Sequence, residues 1–198
     1  MVVFSSHALA ADQIVSASAF TVPIGSGDLE TGDGKYRVES YATASKADQS
    51  ISRDVDIIYI NPSSNDVTLA LKLLDSNANL SFKSFSVENF NPSGTIQEFR
   101  VRGLVQGTEV FPWHTTSPGN ISFDGGNYNI PTKISIASIY QTLRVDEVQI
   151  QVVGLSGSDI MNLEFRQFTL AEVQEVVYNV NFDLGDGTRT GGGTLMQQ

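Results

Sequence analysis

Apolar residues in this chain recur at every second position, in short segments interrupted by Gly, Pro, Asn, Asp and Ser. The segment VDEVQIQVVG at 145–154 is the clearest case, because Val148, Ile150 and Val152 alternate with two glutamines. A period of two places the three apolar side chains on one face of a β-strand. Almost no segment has the period of 3.6 residues that an amphipathic helix requires. We therefore expect an all-β chain whose strands each bury one face.

The spacing of these segments predicts the architecture. Strands are predicted at 14–22, 36–43, 54–61, 66–74, 80–90, 96–105, 108–112, 133–139, 145–153, 161–170 and 176–183. Strands this short and numerous indicate an antiparallel β-sandwich of two sheets. A helical turn is expected only at 138–143. The predicted core residues are Phe82, Phe85, Val87, Phe90, Phe99, Val101, Ile134, Ile136, Val148, Ile150, Val152, Leu163, Phe165 and Phe168.

Turn residues suggest how neighbouring strands connect. The cluster NPSSN at 61–65 separates two predicted strands and favours a hairpin between them, because Pro fixes φ and Asn side chains bond nearby backbone. In FRVRGLVQGTEVF, Gly107 is expected to lie in a turn and Gly103 in a β-bulge.

Composition and charge exclude several classes of function. A formal net charge of −10 repels phosphate, so no nucleic-acid partner is expected. The apolar runs are too short to insert into a bilayer. The chain has no cysteine, which excludes disulfides, thiolate metal sites and cysteine nucleophiles. The oligomeric state does not follow from these data.

The N-terminus, MVVFSSHALAADQ, contains Ala8, Leu9 and Ala10, which fit the small-x-small pattern before a signal-peptidase cut. Residues 1–10 are interpreted as the remnant of a signal peptide, which predicts a secreted or cell-surface protein. A disordered N-terminus without this role is the alternative. The predicted β-sandwich domain is 11–170, and the short charged segment AEVQEV opens a linker and a further strand at 171–198.

Two stretches resemble known bacterial families. From about 80 to 170, a Phe-rich strand, a Gly-punctuated strand, VDEVQIQVV and the closing MNLEFRQFTL resemble the galactose-binding-like jelly rolls of exported proteins. The closing strand departs from those relatives, since Glu164, Arg166 and Gln167 stand where an aspartate and an asparagine are common.

From about 176 to 198, YNVNFDLGDGTRTGGGTLMQQ resembles the first strand and turn of a Listeria–Bacteroides-type β-repeat. This resemblance implies that the repeat is truncated and that the strand's partners lie beyond residue 198. The alternative is an edge strand of the sandwich followed by a glycine-rich tail.

The acidic loop at 25–39 contains three candidate metal ligands, Asp28, Glu30 and Asp33. Carboxylates that alternate along a glycine-rich turn are ligands that calcium prefers, and a jelly roll can hold a structural calcium. A solvated turn without metal is the alternative, and no other cofactor is predicted.

Trp113 is the only tryptophan, and composition places it in a loop with Asn127 and Tyr128 nearby in sequence. An exposed indole beside polar side chains predicts stacking on a sugar ring. The alternative is that Trp113 closes the end of the core. His114 stands in the same predicted loop, and no nucleophile–base constellation accompanies it, so no enzymatic activity is expected.

These features predict a non-catalytic structural or adhesive module of a secreted or surface bacterial protein, with another surface protein as partner. The alternative is a carbohydrate-binding module that calcium supports and whose partner is a glycan.

Overall fold

A computed structural model describes residues 2–24, 28–42, 45–48, 51–54, 57–60, 66–75, 79–89, 94–123, 130–156 and 163–180. Of these, only the backbone is described for 2–9, 40–42, 45–48, 51–54, 57, 59–60, 66–67, 89, 155–156 and 174–180.

The described residues form β-strands and one 3-10 helix at Ala17–Ala19. The strands are β1 (Val2–Leu9), β2 (Gln13–Ser16), β3 (Phe20–Ile24), β4 (Asp28–Thr31), β5 (Tyr36–Ala42), β6 (Ser45–Asp48), β7 (Ile51–Asp54), β8 (Ile57–Ile60), β9 (Asp66–Leu73), β10 (Asn79–Asn89), β11 (Gly94–Val105), β12 (Thr108–Thr115), β13 (Ile121–Phe123), β14 (Thr132–Ser135), β15 (Glu147–Ser156) and β16 (Leu163–Val180). No described helix is long and apolar enough to cross a membrane. Residues 138–143 form hydrogen-bonded turns, as predicted.

The chain divides into two compact units, and the larger one comprises Leu9–Gln174. It contains two antiparallel sheets. The first sheet has the strand order β14-β10-β16-β8-β7, and β2 also pairs with β16. The second sheet has the order β12-β11-β15-β9-β5-β4-β3, with β13 and β6 at its margins. The predicted all-β, two-sheet antiparallel sandwich is confirmed.

One hydrophobic core lies between the two sheets of this unit. Phe85 of the first sheet and Phe99 of the second meet edge to face, with 5.6 Å between ring centroids. Every predicted core residue that the structure describes belongs to this core, and Phe90 lies outside the described residues. Alternation succeeds as a predictor here because each sheet buries one face against the other.

The predicted hairpin across 61–65 is wrong. The strand before these residues, β8, pairs with β7 and β16 in the first sheet, whereas β9 pairs with β5 and β15 in the second. The chain therefore changes sheets between β8 and β9. A turn-forming composition marks where a strand ends, but it does not fix which strand the next one pairs with.

The smaller unit comprises Met1–Ala8 and Glu175–Gln198. Its described residues belong to β1 and to the end of β16, and β1 pairs with β16. The signal-peptide assignment of 1–10 and the division at 170/171 stay predictions, although β16 runs without a break from Leu163 to Val180. The β-repeat assignment also stays a prediction, because 181–198 lie outside the described residues.

Candidate functional site

The outer face of the second sheet carries a continuous line of polar side chains. Leu69, Leu71 and Leu73 of β9 point into the core, so the alternate residues of β9 and of its neighbours point outward. On that outward face, side chains from six neighbouring strands, β12, β11, β15, β9, β5 and β4, contact one another in sequence. We call this the polar row, and its residues are Trp113, Arg102, Gln149, Glu147, Lys72, Glu39, Arg37 and Glu30.

A β-bulge aims Trp113 at this face. Val101 of β11 pairs with His114, and Gly103 pairs with Phe111, so two residues of β12 stand opposite Arg102. This extra residue changes the phase of the alternation. Phe111 and His114 consequently face the same way, toward the ring of Tyr140, while Trp113 faces outward.

Gly103 makes the close approach at the bulge possible. A Cβ atom at this position would lie 2.3 Å from Cε1 of Phe111 and 2.5 Å from Cγ1 of Val145, so any larger residue would displace the core. The predicted bulge at Gly103 and the predicted turn at Gly107 are both confirmed.

The loop assignment of Trp113 and His114 is wrong, because β12 extends to Thr115. The prediction ended this strand at residue 112 because the composition of FPWHTTSPG indicated a loop. Pro112 is accommodated because β12 is an edge strand and the proline lies in its bulge.

Trp113 packs on Arg102 and does not close the core. The guanidinium carbon of Arg102 lies 4.7 Å from the indole centroid, and Trp113 is half-buried and absent from the core cluster. Its predicted partners Asn127 and Tyr128 lie outside the described residues. The structure thus supplies a different polar neighbour for the indole than the sequence suggested.

Arg102 connects the indole to the middle of the sheet. Its Nε donates to Oε1 of Gln149 at 2.8 Å, and its Nη1 lies 3.6 Å from Oε2 of Glu109. Gln149 in turn donates through Nε2 to Oε1 of Glu147 at 2.5 Å. These bonds hold the guanidinium in one orientation beneath the indole.

Lys72 joins the two halves of the row. Its ammonium pairs with Glu39 and lies 3.9 Å from Oε2 of Glu147. Arg37 continues the line, since its Nη1 lies 3.6 Å from Oε1 of Glu39 and its Nε donates to Oε1 of Glu30 at 2.8 Å. The hydrogen bond with Glu30, followed by the carboxylate charges, raises the pKa of Arg37.

His114 belongs to the opposite side of the sheet. Its ring lies 4.3 Å from that of Tyr140 and 5.6 Å from that of Phe111, centroid to centroid. Burial lowers the pKa of His114, and backbone hydrogen bonds oppose this shift only in part. Nδ1 makes a hydrogen bond with the Pro112 carbonyl at 3.2 Å, and among the described residues the buried Nε2 has no partner. His114 therefore packs against aromatic rings and lies away from the polar row.

The three predicted calcium ligands are not brought together. Asp28 and Glu30 lie on β4, where Arg37 holds the Glu30 carboxylate. Asp33 lies in the following turn and accepts hydrogen bonds from Thr31 Oγ1 at 2.6 Å and from the backbone N–H of Lys35 at 3.0 Å. Among the described residues, no group of three or more His, Asp or Glu side chains could hold a metal ion. Calcium binding stays a prediction.

Apart from Trp113 and Glu30, the residues of the polar row were not predicted as site residues. The only available signal was alternation: Gln149 lies between buried Val148 and Ile150, and Lys72 lies between Leu71 and Leu73. Alternation identifies outward residues strand by strand, but their meeting depends on which strands are neighbours.

The chain matches no protein-family model, and it matches no curated protein. Among solved structures, it is similar to the CBM22-1 and GH10 modules of N-terminal endo-1,4-β-D-xylanase 10B from Clostridium thermocellum, determined in complex with xylohexaose. The identity is 14%, the TM-score is 0.37, and the match covers 79% of this chain and 28% of that chain. The chain thus spans less than a third of the xylanase chain.

Proposed function

We propose that the chain is a non-catalytic, exported β-sandwich module whose polar row binds an uncharged glycan. The observation that carries the proposal is the half-buried indole of Trp113, oriented by the β12 bulge and packed on the guanidinium of Arg102. An aromatic ring fixed in this way presents a flat apolar surface with little loss of side-chain entropy on binding.

The chemistry of the row beyond Trp113 suits hydroxyl groups. Carboxylates accept hydrogen bonds, guanidinium and ammonium groups donate them, and the Gln149 amide does both. A sugar hydroxyl both donates and accepts, so it can bridge neighbouring members of the row.

The charges of the row favour a neutral ligand. Three carboxylates, those of Glu30, Glu39 and Glu147, alternate with the three cations of Arg37, Lys72 and Arg102. A uronate or sulfate group that approached one of these cations would also come close to a neighbouring carboxylate of the row, which would repel it.

The test is binding of the full chain to an array of neutral and anionic glycans, with and without calcium, followed by calorimetry on the best neutral oligosaccharide. We expect Trp113→Ala to weaken that binding by about tenfold or more, since buried aromatic anchors contribute over about 1 kcal/mol. Arg102→Lys, which keeps the charge but loses the planar surface under the indole, is expected to weaken it less.

Arg144→Lys is the matched control, because Arg144 lies outside the polar row, and this variant should bind as the parent does. Glycan binding that is unchanged in Trp113→Ala would rule out the polar row as the site. A clear preference for anionic glycans would contradict the charge argument.

A structural or adhesive module is the second candidate. It is favoured by the pairing of the charged side chains within the row, which stabilises the sheet face without a ligand. Absence of binding across the array, with calcium and without, would leave this candidate ahead.

A further inference from the structure

Away from the polar row, a cleft of about 450 Å³ lies beside β2 and the turn that joins β4 to β5. Its polar lining includes Gln13, Asp33, Lys35 and Tyr36, and Ile14 and Ala19 contribute apolar surface. The volume is within the range of sites that hold small ligands, about 300–1,000 Å³. No residue of the polar row lines this cleft.

Three residues that line the cleft are held in place by Glu172 of β16, which is not itself part of the lining. Its Oε1 accepts from Gln13 Nε2 at 2.6 Å and from Tyr36 Oη at 2.9 Å, and it pairs with the Lys35 ammonium. Gln13 Nε2 also donates to Tyr36 Oη at 2.8 Å. The Tyr36 side chain is almost fully buried. The polar groups are therefore held in place before any ligand arrives.

Several hydrogen-bonding groups retain capacity after these contacts. Both hydrogen bonds that Gln13 makes with described residues use Nε2, which leaves Oε1 as an acceptor. Asp33 accepts from described residues through Oδ1, which leaves Oδ2. The Lys35 ammonium has three donors, and one pairs with Glu172. Two acceptor oxygens and two ammonium N–H donors thus remain around the cleft.

Ile14 gives the cleft an exposed apolar wall. Its side chain is 63% exposed, although it belongs to a strand of the sandwich. An exposed isoleucine alone is ordinary. Here it stands beside oriented polar groups, which is the combination that ligand sites use to bind C–H and O–H surfaces together.

The charges around the cleft disfavour an anion. Asp33 lines the cleft, and the Glu172 carboxylate beside it pairs with the Lys35 ammonium. The described charges of these residues are therefore two carboxylates and one ammonium. The pKa of Asp33 is lowered by its hydrogen bonds from Thr31 and Lys35, so this group is charged at neutral pH. A hydroxyl pair, which can donate to carboxylate and amide oxygens while accepting from an ammonium, matches the remaining donors and acceptors.

We infer that this cleft is a second binding site of the module, separate from the polar row, and that it takes one uncharged sugar residue. The ring's hydroxyls contact Asp33, Gln13 and Lys35, and its C–H face packs on Ile14. The site does not depend on the glycan proposal for the polar row, because the two share no residue.

The test is an NMR titration of the full ¹⁵N-labelled chain with methyl β-D-glucopyranoside, methyl β-D-xylopyranoside and methyl α-D-mannopyranoside. We expect at least one glycoside to shift the amide signals of Gly32, Asp33 and Lys35 in a saturable way, with a Kd of about 1–10 mM, as befits a ligand with few contacts. Methyl β-D-glucuronide, which carries a carboxylate, should not shift them.

Ile14→Ser is expected to weaken this binding about fivefold or more, through loss of buried apolar surface. Ile139→Ser is the matched control, since Ile139 is 70% exposed and does not line the cleft. Trp113→Ala should leave the shifts of the cleft amide signals unchanged. In the parent chain, the signal of the Trp113 indole N–H shows independently whether a ligand binds the polar row.

Three results would overturn the inference. One is that no neutral glycoside shifts the cleft amides up to about 50 mM, well above the expected Kd. Another is that the glucuronide binds as well as the neutral glycosides. The third is that Ile14→Ser and Ile139→Ser weaken binding equally. Failure of the polar-row proposal alone would appear as a silent Trp113 signal with shifting cleft amides.

Discussion

Glu172 links strands from both sheets through a single carboxylate oxygen. Its hydrogen-bond donors come from β2, from β5 and from the residue that precedes β5. Burial raises the pKa of this carboxyl group, but the hydrogen bonds from Lys35, Gln13 and Tyr36 outweigh burial and lower the pKa overall. Burial and the bond to Glu172 raise the pKa of Tyr36, so the phenol remains a donor at neutral pH.

The depressed pKa of Glu172 predicts acid sensitivity. A group of this kind contributes stability above its unfolded pKa, and the contribution is lost as pH falls through the folded pKa. We expect Glu172→Gln to be less stable than the parent at pH 7, and this difference should shrink between about pH 5 and pH 3. Urea unfolding across this range measures it.

Tyr36→Phe is the control, because it keeps the carboxylate and removes one donor. Its deficit at pH 7 should be smaller, about 1 kcal/mol, as for one neutral hydrogen bond. A deficit of Glu172→Gln that stays constant across the pH range would contradict the assignment.

The sequence identified a candidate residue only where its type alone was informative. It did not identify residues whose role depends on a neighbouring strand. Trp113 was a candidate because it is the only tryptophan, and the structure places its indole on Arg102. Arg102 was not a candidate, because its contact with the indole depends on a bulge in β12. The predicted partners of Trp113 were chosen by closeness in sequence, a poor guide in a sheet whose contacts join distant segments.

At the scale of elements, the hairpin between β11 and β12 has a two-residue turn at Gln106 and Gly107. Both residues have positive φ, 49° and 78°, as a type I′ turn requires. The backbone N–H of Gln106 donates to Oδ2 of Asp146 at 2.7 Å. Glycine is suited to this backbone and glutamine is not, so the turn holds one residue at a conformational cost.

We expect Gln106→Asn to stabilise the protein by about 0.5 kcal/mol, because Asn-Gly is a preferred residue pair in a type I′ turn. The substitution also keeps the backbone N–H that donates a hydrogen bond to Asp146. Gln106→Val should destabilise it by about 1 kcal/mol, since a β-branched residue tolerates positive φ poorly. Thermal unfolding of both variants measures whether the asparagine raises the melting temperature and the valine lowers it. A stabilising valine would exclude backbone strain as the cause.

Strand positions were predictable where one face is buried, and strand partners were not. The prediction of one strand at 54–61 is wrong, because Asp54 ends β7 and 57–60 form β8, which pairs antiparallel with β7. The strand predicted at 66–74 is present as β9 at 66–73, and it lies in the other sheet from β8. Short strands such as β13 were missed, because three residues are too few to reveal an alternation of apolar and polar positions. Pairing depends on which complete set of strands fills the core, and no local window contains that information.

At the scale of the whole molecule, Leu9–Gln174 forms a compact unit with its own core. The two-sheet sandwich and the described part of the core list followed from the sequence, because burial between two sheets imposes alternation on every core strand. We expect a fragment of residues 9–174 to unfold in one cooperative thermal transition, as a domain with a complete core does.

A fragment of residues 20–174 is the comparison. It lacks β2, which pairs with β16 and carries Gln13, so its melting temperature should be lower. Calorimetry on both fragments gives the result. A gradual, non-cooperative transition for 9–174 would show that this unit needs further chain to fold.

The bulge opposite Arg102 has a consequence for how such a surface can change in evolution. Pro112 and Trp113 together stand opposite Arg102, so at this point the edge strand contains one extra residue. Loss of the proline codon would pair Trp113 directly with Arg102, while an insertion between residues 113 and 114 would shift the alternation that orients the indole. The ligand surface of this module can therefore be altered by changes in gene length as well as by amino-acid replacement.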